Sequence, residues 1–286
     1  VLGVPGAWST ERLADAFDRR GCGRHVLEAE ALAFDATTGR VTAAGRALDE
    51  FDAVVVKKLG RAYGPHLFER LALLAHALSG GVPVFSRPAN LARALSRVDG
   101  TLLLLRAGLP VPEVVLTPCV DEAVAAVERF GRAVLKPLYS TKARGMRPIE
   151  AGPDARAAVA SFAASNPLLY VQRRVDLPGR DLGLVFVGGA YVGTYARVRG
   201  GDAWATTTAQ GGRYAPAAPS AELIALAARA QAVFGLDLTV VDVAETPEGP
   251  VVFEVSAFGG YRGLFEASGV DAGEVVADHV LARLAT

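Results

Sequence analysis

The stretch "LTVVDVAETPEGPVVFEV" (238–255) constrains this chain more than any other. Two apolar, β-branched runs flank a Thr-Pro-Glu-Gly-Pro turn, the pattern of an antiparallel hairpin. Within these runs stand the carboxylates Asp242 and Glu254, each flanked by apolar residues. Pairing centred on Glu248 sets the two directly opposite, and strand alternation puts Ser256 on the face of Glu254. Opposed residues hold their Cβ atoms about 5 Å apart, where like charges destabilise a sheet. Carboxylates inside apolar strands are also costly without a partner. A divalent cation resolves both conflicts. An all-oxygen set suits Mg²⁺ (or Mn²⁺), which takes one or two carboxylates together with nucleotide phosphates. The alternatives are that Asp242 faces solvent, that the register slips by one, or that basic residues elsewhere pair with these acids.

A second stretch, "LKPLYSTKARGM" (135–146), offers the complementary half of such a site. Lys136 ends an apolar strand and precedes Pro137, so its ammonium emerges at the sheet edge. Ser140, Thr141, Lys142, Arg144 and Gly145 follow as a loop of hydroxyls, cations and accessible amides, which suits phosphates. The other reading makes Lys142 and Arg144 solvated surface charges. No GxxxxGK[ST] occurs, and no GxGxxG follows the first strand, which excludes the P-loop and Rossmann nucleotide sites.

The chain has 286 residues with 30 basic and 30 acidic side chains. That length buries a real core in one large or two small domains. Charge balance argues against a general nucleic-acid binder and makes the basic loop a local feature. Cys22 and Cys119 lack metal spacing and are expected as free thiols. His25, His66, His76 and His279 have no partner pattern and are expected to be structural or on the surface. The first residues lack signal-peptide character, and no apolar run reaches the ~18 residues of a membrane span. A soluble, cytoplasmic protein without membrane or nucleic-acid partner is expected; homo-oligomerisation is left open.

The element order reads as α/β. "VLGV" is a short buried strand; Pro5-Gly6 turns it toward a helix capped by Ser9 or Thr10, with Leu13 and Phe17 on one face. "DAVVVKKLG", "LFERLALLAHALSG" and "VPVFS" continue a βαβ rhythm over residues 1–88, implying a small parallel sheet. Residues 89–108 read as helices. "VPEVVLT", "DEAVAAVERFG", "AVLKP", "DARAAVASFAAS" and "LLYVQRRV" then alternate strand and helix. Residues 183–198 form a hairpin turning at Gly188-Gly189. A polar loop, the helix "AELIALAARAQAVFGL", the carboxylate hairpin and a terminal helix complete the chain.

In this order the motifs resemble the ATP-grasp superfamily, and within it the RimK-type carboxylate–amine ligases. The resemblance is carried by "VVVKKLG", "SRVDGTLLLLRAGLPVP", "AVLKP", "LYVQRRVDLPGRDLGLVFVGG", "YARV", "QGG", "GLDLTVVDV" and "FEV". "KKLG…Y", "KPLYSTKARGM", "YARV" and "FEVSAFGGYRG" are more closely similar to the GAK system ATP-grasp subgroup. The resemblance implies a pre-ATP-grasp βαβ domain over 1–88 and a two-lobed ATP-grasp domain over 89–286, with a mobile lid lobe at about 113–172.

It further implies a ligase that uses ATP and Mg²⁺. A carboxylate is activated as an acyl phosphate and joined to an amine of a small-molecule or peptide-like substrate, releasing ADP and phosphate. Arg97 and Lys136 hold phosphates, Ser140 to Gly145 close over them, and Tyr170, Val171 and Gln172 meet adenine. Asp242, Glu254 and Ser256 hold the metal. Arg197 and Lys136 act at the transferred group, and Lys58, Tyr63, Tyr261 and Arg262 face the acceptor. Lys57 alternates to the other strand face and is structural. Two departures stand out. Ser256 occupies the position of the family's ligand Asn. Asp181 is followed by Leu182-Gly183 where the family has an Asp–Arg pair; with Arg173 at the usual hinge acid, Asp181 is the remaining ribose contact. The alternatives are a phosphotransferase of the same superfamily and a non-catalytic nucleotide-binding regulator.

Overall fold

The computed structural model describes residues 1–201, 204–208 and 211–286; Gln210 of the "QGG" motif lies outside the described residues. The N-terminal region is built on short parallel strands: β1 (Leu2–Gly3), β2 (Leu27–Glu28), β6 (Val54–Val55) and β7 (Val84–Phe85). β2 pairs with β1, Leu2 bridges to Val56, and β6 pairs with β7, all in parallel. Helix α1 (Trp8–Asp18) and helix α2 (His66–Ser79) make the crossovers. The expected capping of α1 is corrected: the helix begins at Trp8 without a side-chain cap, and Thr10 is buried in its first turn. A meander of β3 (Leu32–Asp35), β4 (Arg40–Ala43) and β5 (Arg46–Ala47) has no counterpart in the sequence reading. Its strands are short and rich in Ala and Thr, so their alternation is faint.

Helix α3 (Pro88–Leu95) and helix α4 (Arg97–Arg106) form the joint. Ser96 separates them and caps α4 by accepting the Asp99 amide at 3.1 Å.

The next lobe holds β8 (Val114–Thr117), α5 (Val120–Phe130), β9 (Arg132–Lys136), β10 (Arg147–Glu150), α6 (Ala155–Ala163) and β11 (Leu169–Arg173). Its antiparallel sheet runs β10-β9-β11-β8. Strand β10, "RPIE", went unread because it is polar and carries a proline, as an edge strand can. Leu135, Ile149, Val159, Phe162 and Val171 give this lobe its own core.

The C-terminal lobe carries a five-stranded antiparallel sheet in the order β14-β13-β12-β15-β16. These are β12 (Arg180–Val187), β13 (Ala190–Val198), β14 (Arg213–Pro216), β15 (Leu238–Thr246) and β16 (Gly249–Val255). Helices α7 (Ala221–Ala232), α8 (Arg262–Ser268) and α9 (Ala272–Leu284) pack on it. Leu2, Val54 and Leu74 share one core with Leu184, Phe234 and Val241, so this lobe and the N-terminal sheet are fused. The result is the α/β architecture expected from the sequence. No helix among the described residues is long and apolar enough to cross a membrane.

Candidate active site

Two hairpins assemble the charged centre, and each uses a one-residue irregularity to do so. At Pro247-Glu248 the turn is two residues long, with Thr246 paired to Gly249. A regular ladder from that turn would set Asp242 opposite Phe253. An irregularity beside Val243 absorbs Phe253 and places Asp242 opposite Glu254. In the β12–β13 hairpin Val187 pairs with Ala190, and an irregularity at Val185/Phe186 brings Asp181 opposite Arg197. Bulges re-aim side chains in this way near functional sites. The opposition of Asp242 and Glu254 expected from the sequence is therefore present, by a turn one residue shorter than its assumed centre implies.

Arg197 lies between two acids. Its Nη2 is 2.5 Å from Asp181 Oδ2 and 3.0 Å from Asp242 Oδ1. Burial alone would lower the guanidinium pKa, but Asp242 and Asp181 outweigh it and hold Arg197 firmly charged. The contact to Asp242 is electrostatic only: Asp242 Oδ1 is buried and accepts no hydrogen bond. Burial first, and then Glu254 and Asp181, push the Asp242 carboxyl up to about 7 despite Arg197. Asp242 and Glu254 thus form a crowded acidic pair that Arg197 only partly offsets. Ser256 Oγ lies 3.4 Å from Glu254 Oε1. No cluster of three His, Cys, Asp or Glu suited to a metal exists among the described residues. A carboxylate pair that shares Mg²⁺ with phosphate oxygens fits this arrangement.

Lys136 and Arg97 supply the opposing charge. Lys136, at the end of β9, is partly buried, with Nζ 5.7 Å from the centre of the Phe253 ring. Burial, and then Arg97, lower its pKa to about 7, while Glu254 works in the other direction. Arg97 Nε donates to the Pro137 carbonyl at 3.0 Å, and its Nη2 reaches Ser140 Oγ at 3.4 Å. The guanidinium also lies over Tyr170, whose hydroxyl is 2.7 Å from Thr101 Oγ1. In the loop, Lys142, Ala143 and Gly145 all have left-handed φ values, of 56°, 56° and 68°. Two consecutive non-glycine residues in that region mark a backbone held by its surroundings.

Several expected contacts are redirected. Val171 turns its side chain into the core of its own lobe, and β11 is paired on both sides, to β8 and β9. Tyr170 and Gln172 are both buried on the other face of that strand. Asp181, expected at a ribose, is committed to Arg197. Tyr261, expected at the acceptor, is fully buried and donates its hydroxyl to the Ser9 carbonyl at 2.7 Å. Arg262 pairs with Glu266 and lies near Trp8, toward α1 rather than the carboxylate pair. Arg173 bridges Glu113 and Glu248, at 3.1 and 2.6 Å.

Lys57 is 1% exposed, donates to the carbonyls of Phe258 and Gly259, and so pins the loop that follows Ser256. Tyr63 packs edge-on against Phe258 at 6.4 Å, and burial followed by Glu254 raises its pKa. Gly183 was missed as a contributor. It pairs with Asp242 on one side and Tyr195 on the other, and a Cβ there would lie 2.5 Å from the Tyr195 ring. A glycine two residues after Asp181, within an otherwise apolar strand, was the available signal. Cys22 and Cys119 are free, and His279 pairs with Asp237 at 2.8 Å away from this centre.

A small four-stranded lobe beside a five-stranded sheet, with cations on one and paired carboxylates on the other, is the arrangement of the ATP-grasp class of ligases. Residues 94–280 match the RimK-like ATP-grasp domain, and the chain belongs to that family of carboxylate–amine ligase enzymes. It is 25% identical over 261 residues to the tetrahydromethanopterin:alpha-L-glutamate ligase of Methanosarcina acetivorans, covering 82% of this chain and 81% of that one. It is 29% identical over 279 residues to a probable alpha-L-glutamate ligase of Thioalkalivibrio sulfidiphilus, covering 94% and 90%. Among solved structures, the RimK domain ATP-grasp protein of Sphaerobacter thermophilus superposes with a TM-score of 0.75 at 28% identity, covering 98% of both chains. The ligase PsnB, solved with a precursor variant, Mg and ADP, shares the fold with a TM-score of 0.76 at 19% identity, covering 99% of this chain and 97% of that one.

Proposed function

We propose that this chain is an ATP- and Mg²⁺-dependent ligase that joins a carboxylate to the amine of an amino acid or peptide-like substrate. One observation carries the reading: Asp242, buried and only partly answered by Arg197, stands opposite Glu254, and Lys136 and Arg97 lie on the Glu254 side. A metal-bound polyphosphate would satisfy both the crowded acids and these cations.

Bound ATP–Mg²⁺ supplies the phosphoryl group that activates the carboxylate. The chain contributes position and charge. Asp242 and Glu254 would hold the metal, with Ser256 contributing a hydroxyl directly or through water. Lys136 and Arg97 would bind the nucleotide phosphates, and Arg97 also fixes the loop through Pro137 and Ser140. Tyr170 and Gln172 would line the base. Arg197, kept charged by Asp181, would neutralise the anion developing at the acyl centre. Relatives named alpha-L-glutamate ligases support an acidic amino acid as one substrate.

The test is a coupled assay of ADP release with nucleotide, Mg²⁺ and pools of carboxylates and amines. A ligase releases ADP only when both an acid and an amine are present. Release with the acid alone would favour a phosphotransferase. Thermal stabilisation by a nonhydrolysable ATP analogue with Mg²⁺ is expected first, at about 2.7 kcal/mol for a hundredfold excess over Kd. No stabilisation by any nucleotide would overturn the reading.

A further inference from the structure

Only four of the 30 basic residues are lysines: Lys57, Lys58, Lys136 and Lys142. Every ion pair among the described residues is made instead by arginine or by His279. The lysines are thus reserved for other work. Lys57 pins the loop after Ser256, and Lys136 faces Arg97 and Glu254. Lys58 and Lys142 are left, one in "KKLG" and one in "KPLYSTKARGM".

The fold brings these two motifs together. Tyr139 of the loop rests edge-on against Phe68 of α2, with ring centres 6.1 Å apart, so the loop lies on the N-terminal region. Half-buried Lys58 then has Lys142, Arg144 and Arg61 as its charged neighbours. Tyr63, whose ring packs on Phe258, is close enough to feel both Arg144 and Glu254. Among the described residues, none of the four cations has a carboxylate within 4.0 Å. The Arg61 guanidinium reaches only the Pro5 carbonyl, while its backbone amide donates to Glu30 Oε1 at 3.1 Å; the Arg144 guanidinium reaches only Thr141 of its own loop.

We propose that Lys58, Arg61, Lys142 and Arg144 form an anion subsite between the loop and the N-terminal region, and that it takes a second negatively charged group on the substrate whose carboxylate is activated. This rests on the ligase reading. Four cations repel an ammonium, so the amine substrate does not belong there. On the ligase reading the nucleotide phosphates already have Lys136 and Arg97. One substrate then presents its reacting carboxylate near Arg197 and a carboxylate or phosphoryl group at Lys58. Two cations come from each side, so the same anion also ties the loop down.

The experiment uses the full chain loaded with a nonhydrolysable ATP analogue and Mg²⁺, titrated by calorimetry. The probes are glutarate, its monomethyl ester and 3-phosphonopropionate, with malonate, succinate and adipate to vary the span. At least one dianion is expected to bind about tenfold more tightly than the monoester. Glutarate and 3-phosphonopropionate separate a carboxylate from a phosphoryl preference. Arg61→Gln should erase most of that preference, about fivefold to tenfold, and leave affinity for the analogue within about twofold. Equal binding of ester and diacids, or no binding of any acid, overturns the subsite. So does an equal loss of nucleotide affinity in Arg61→Gln, which would return these cations to ATP. Failure of the wild-type chain to bind the analogue overturns the ligase reading itself, and the subsite with it.

Discussion

Asp242 stands opposite Glu254 only because β16 carries one residue more than its partner strand at Phe253. The displaced Phe253 ring in turn lies under the Lys136 ammonium. One local irregularity therefore sets the spacing of the carboxylate pair and supports the cation facing it.

Glu254→Gln tests the pair. The substitution keeps the shape and removes one charge, so Asp242 loses the neighbour that helps push its carboxyl up to about 7. The variant should fold at least as stably as the wild type without metal, since like charges across a pair cost roughly 0.2–1 kcal/mol. Turnover should disappear, and so should stabilisation by Mg²⁺ with nucleotide. Wild-type Mg²⁺ dependence of ADP release in this variant would remove the metal from the site.

Lys136 and Lys57 should separate cleanly. Lys136→Ala removes a cation facing the phosphate region and should weaken the ATP analogue by about 1.5–3 kcal/mol, measured by calorimetry. Lys57→Ala should leave the affinity of the folded fraction almost unchanged, because Lys57 turns to the carbonyls of Phe258 and Gly259. Equal losses would mean that the buried loop and the phosphate contacts are one unit.

Lys57 should also write itself into the pH dependence of stability. Burial, and then Lys58, lower its pKa from 10.5 to about 7. Between those values the unfolded chain holds a proton that the folded chain lacks. Raising the pH across that window therefore favours the folded state, and below about 7 the full cost of burying the ammonium is felt. Denaturant midpoints of the wild type should rise from pH 7 to pH 10. Lys57→Met should flatten that rise by at most about 1.4 kcal/mol per pH unit. It should also cost on the order of 1–3 kcal/mol for each of the two carbonyls left unpaired. An unchanged slope would show that Lys57 stays charged.

Part of this site was legible because apolar strands make a lone charge conspicuous. Asp242, Glu254 and Lys136 each interrupt or end such a run, and strand alternation then fixes their faces. Asp181 was legible as unusual but not as a partner of Arg197. That pairing depends on the irregularity in β12–β13, which no residue pattern announces. Tyr261 and Arg262 were misplaced for a different reason. They follow the Gly259-Gly260 loop, whose direction is set by Lys57 and by the Tyr195 hydroxyl on the Gly260 carbonyl. Such long-range side-chain contacts decide where a glycine loop points, and sequence proximity does not. Arg61 went unremarked because its significance lies in Lys58 and Arg144, which only the docking of the loop on α2 brings near it.

Ser256 gives the sharpest test of how far this chain keeps its family's metal chemistry. Its hydroxyl is 3.4 Å from Glu254 Oε1, just past the end of β16, and its amide is fixed by the Val240 carbonyl at 2.9 Å. The backbone is therefore held, and only the side chain varies between substitutions. A serine reaches less far than an asparagine, and Mg²⁺ readily keeps waters in its shell, so contact through water is expected. Ser256→Ala should then retain much of the turnover, with a modestly higher Mg²⁺ requirement. Ser256→Asn restores an amide oxygen at a fixed backbone position and should keep or tighten the metal requirement. Titrating Mg²⁺ against ADP release for both variants, with Glu254→Gln as the inactive reference, separates the cases. A dead Ser256→Ala enzyme that still binds nucleotide and Mg²⁺ would make the hydroxyl a direct contact to the reacting groups, since neither the fold nor the metal would then account for the loss.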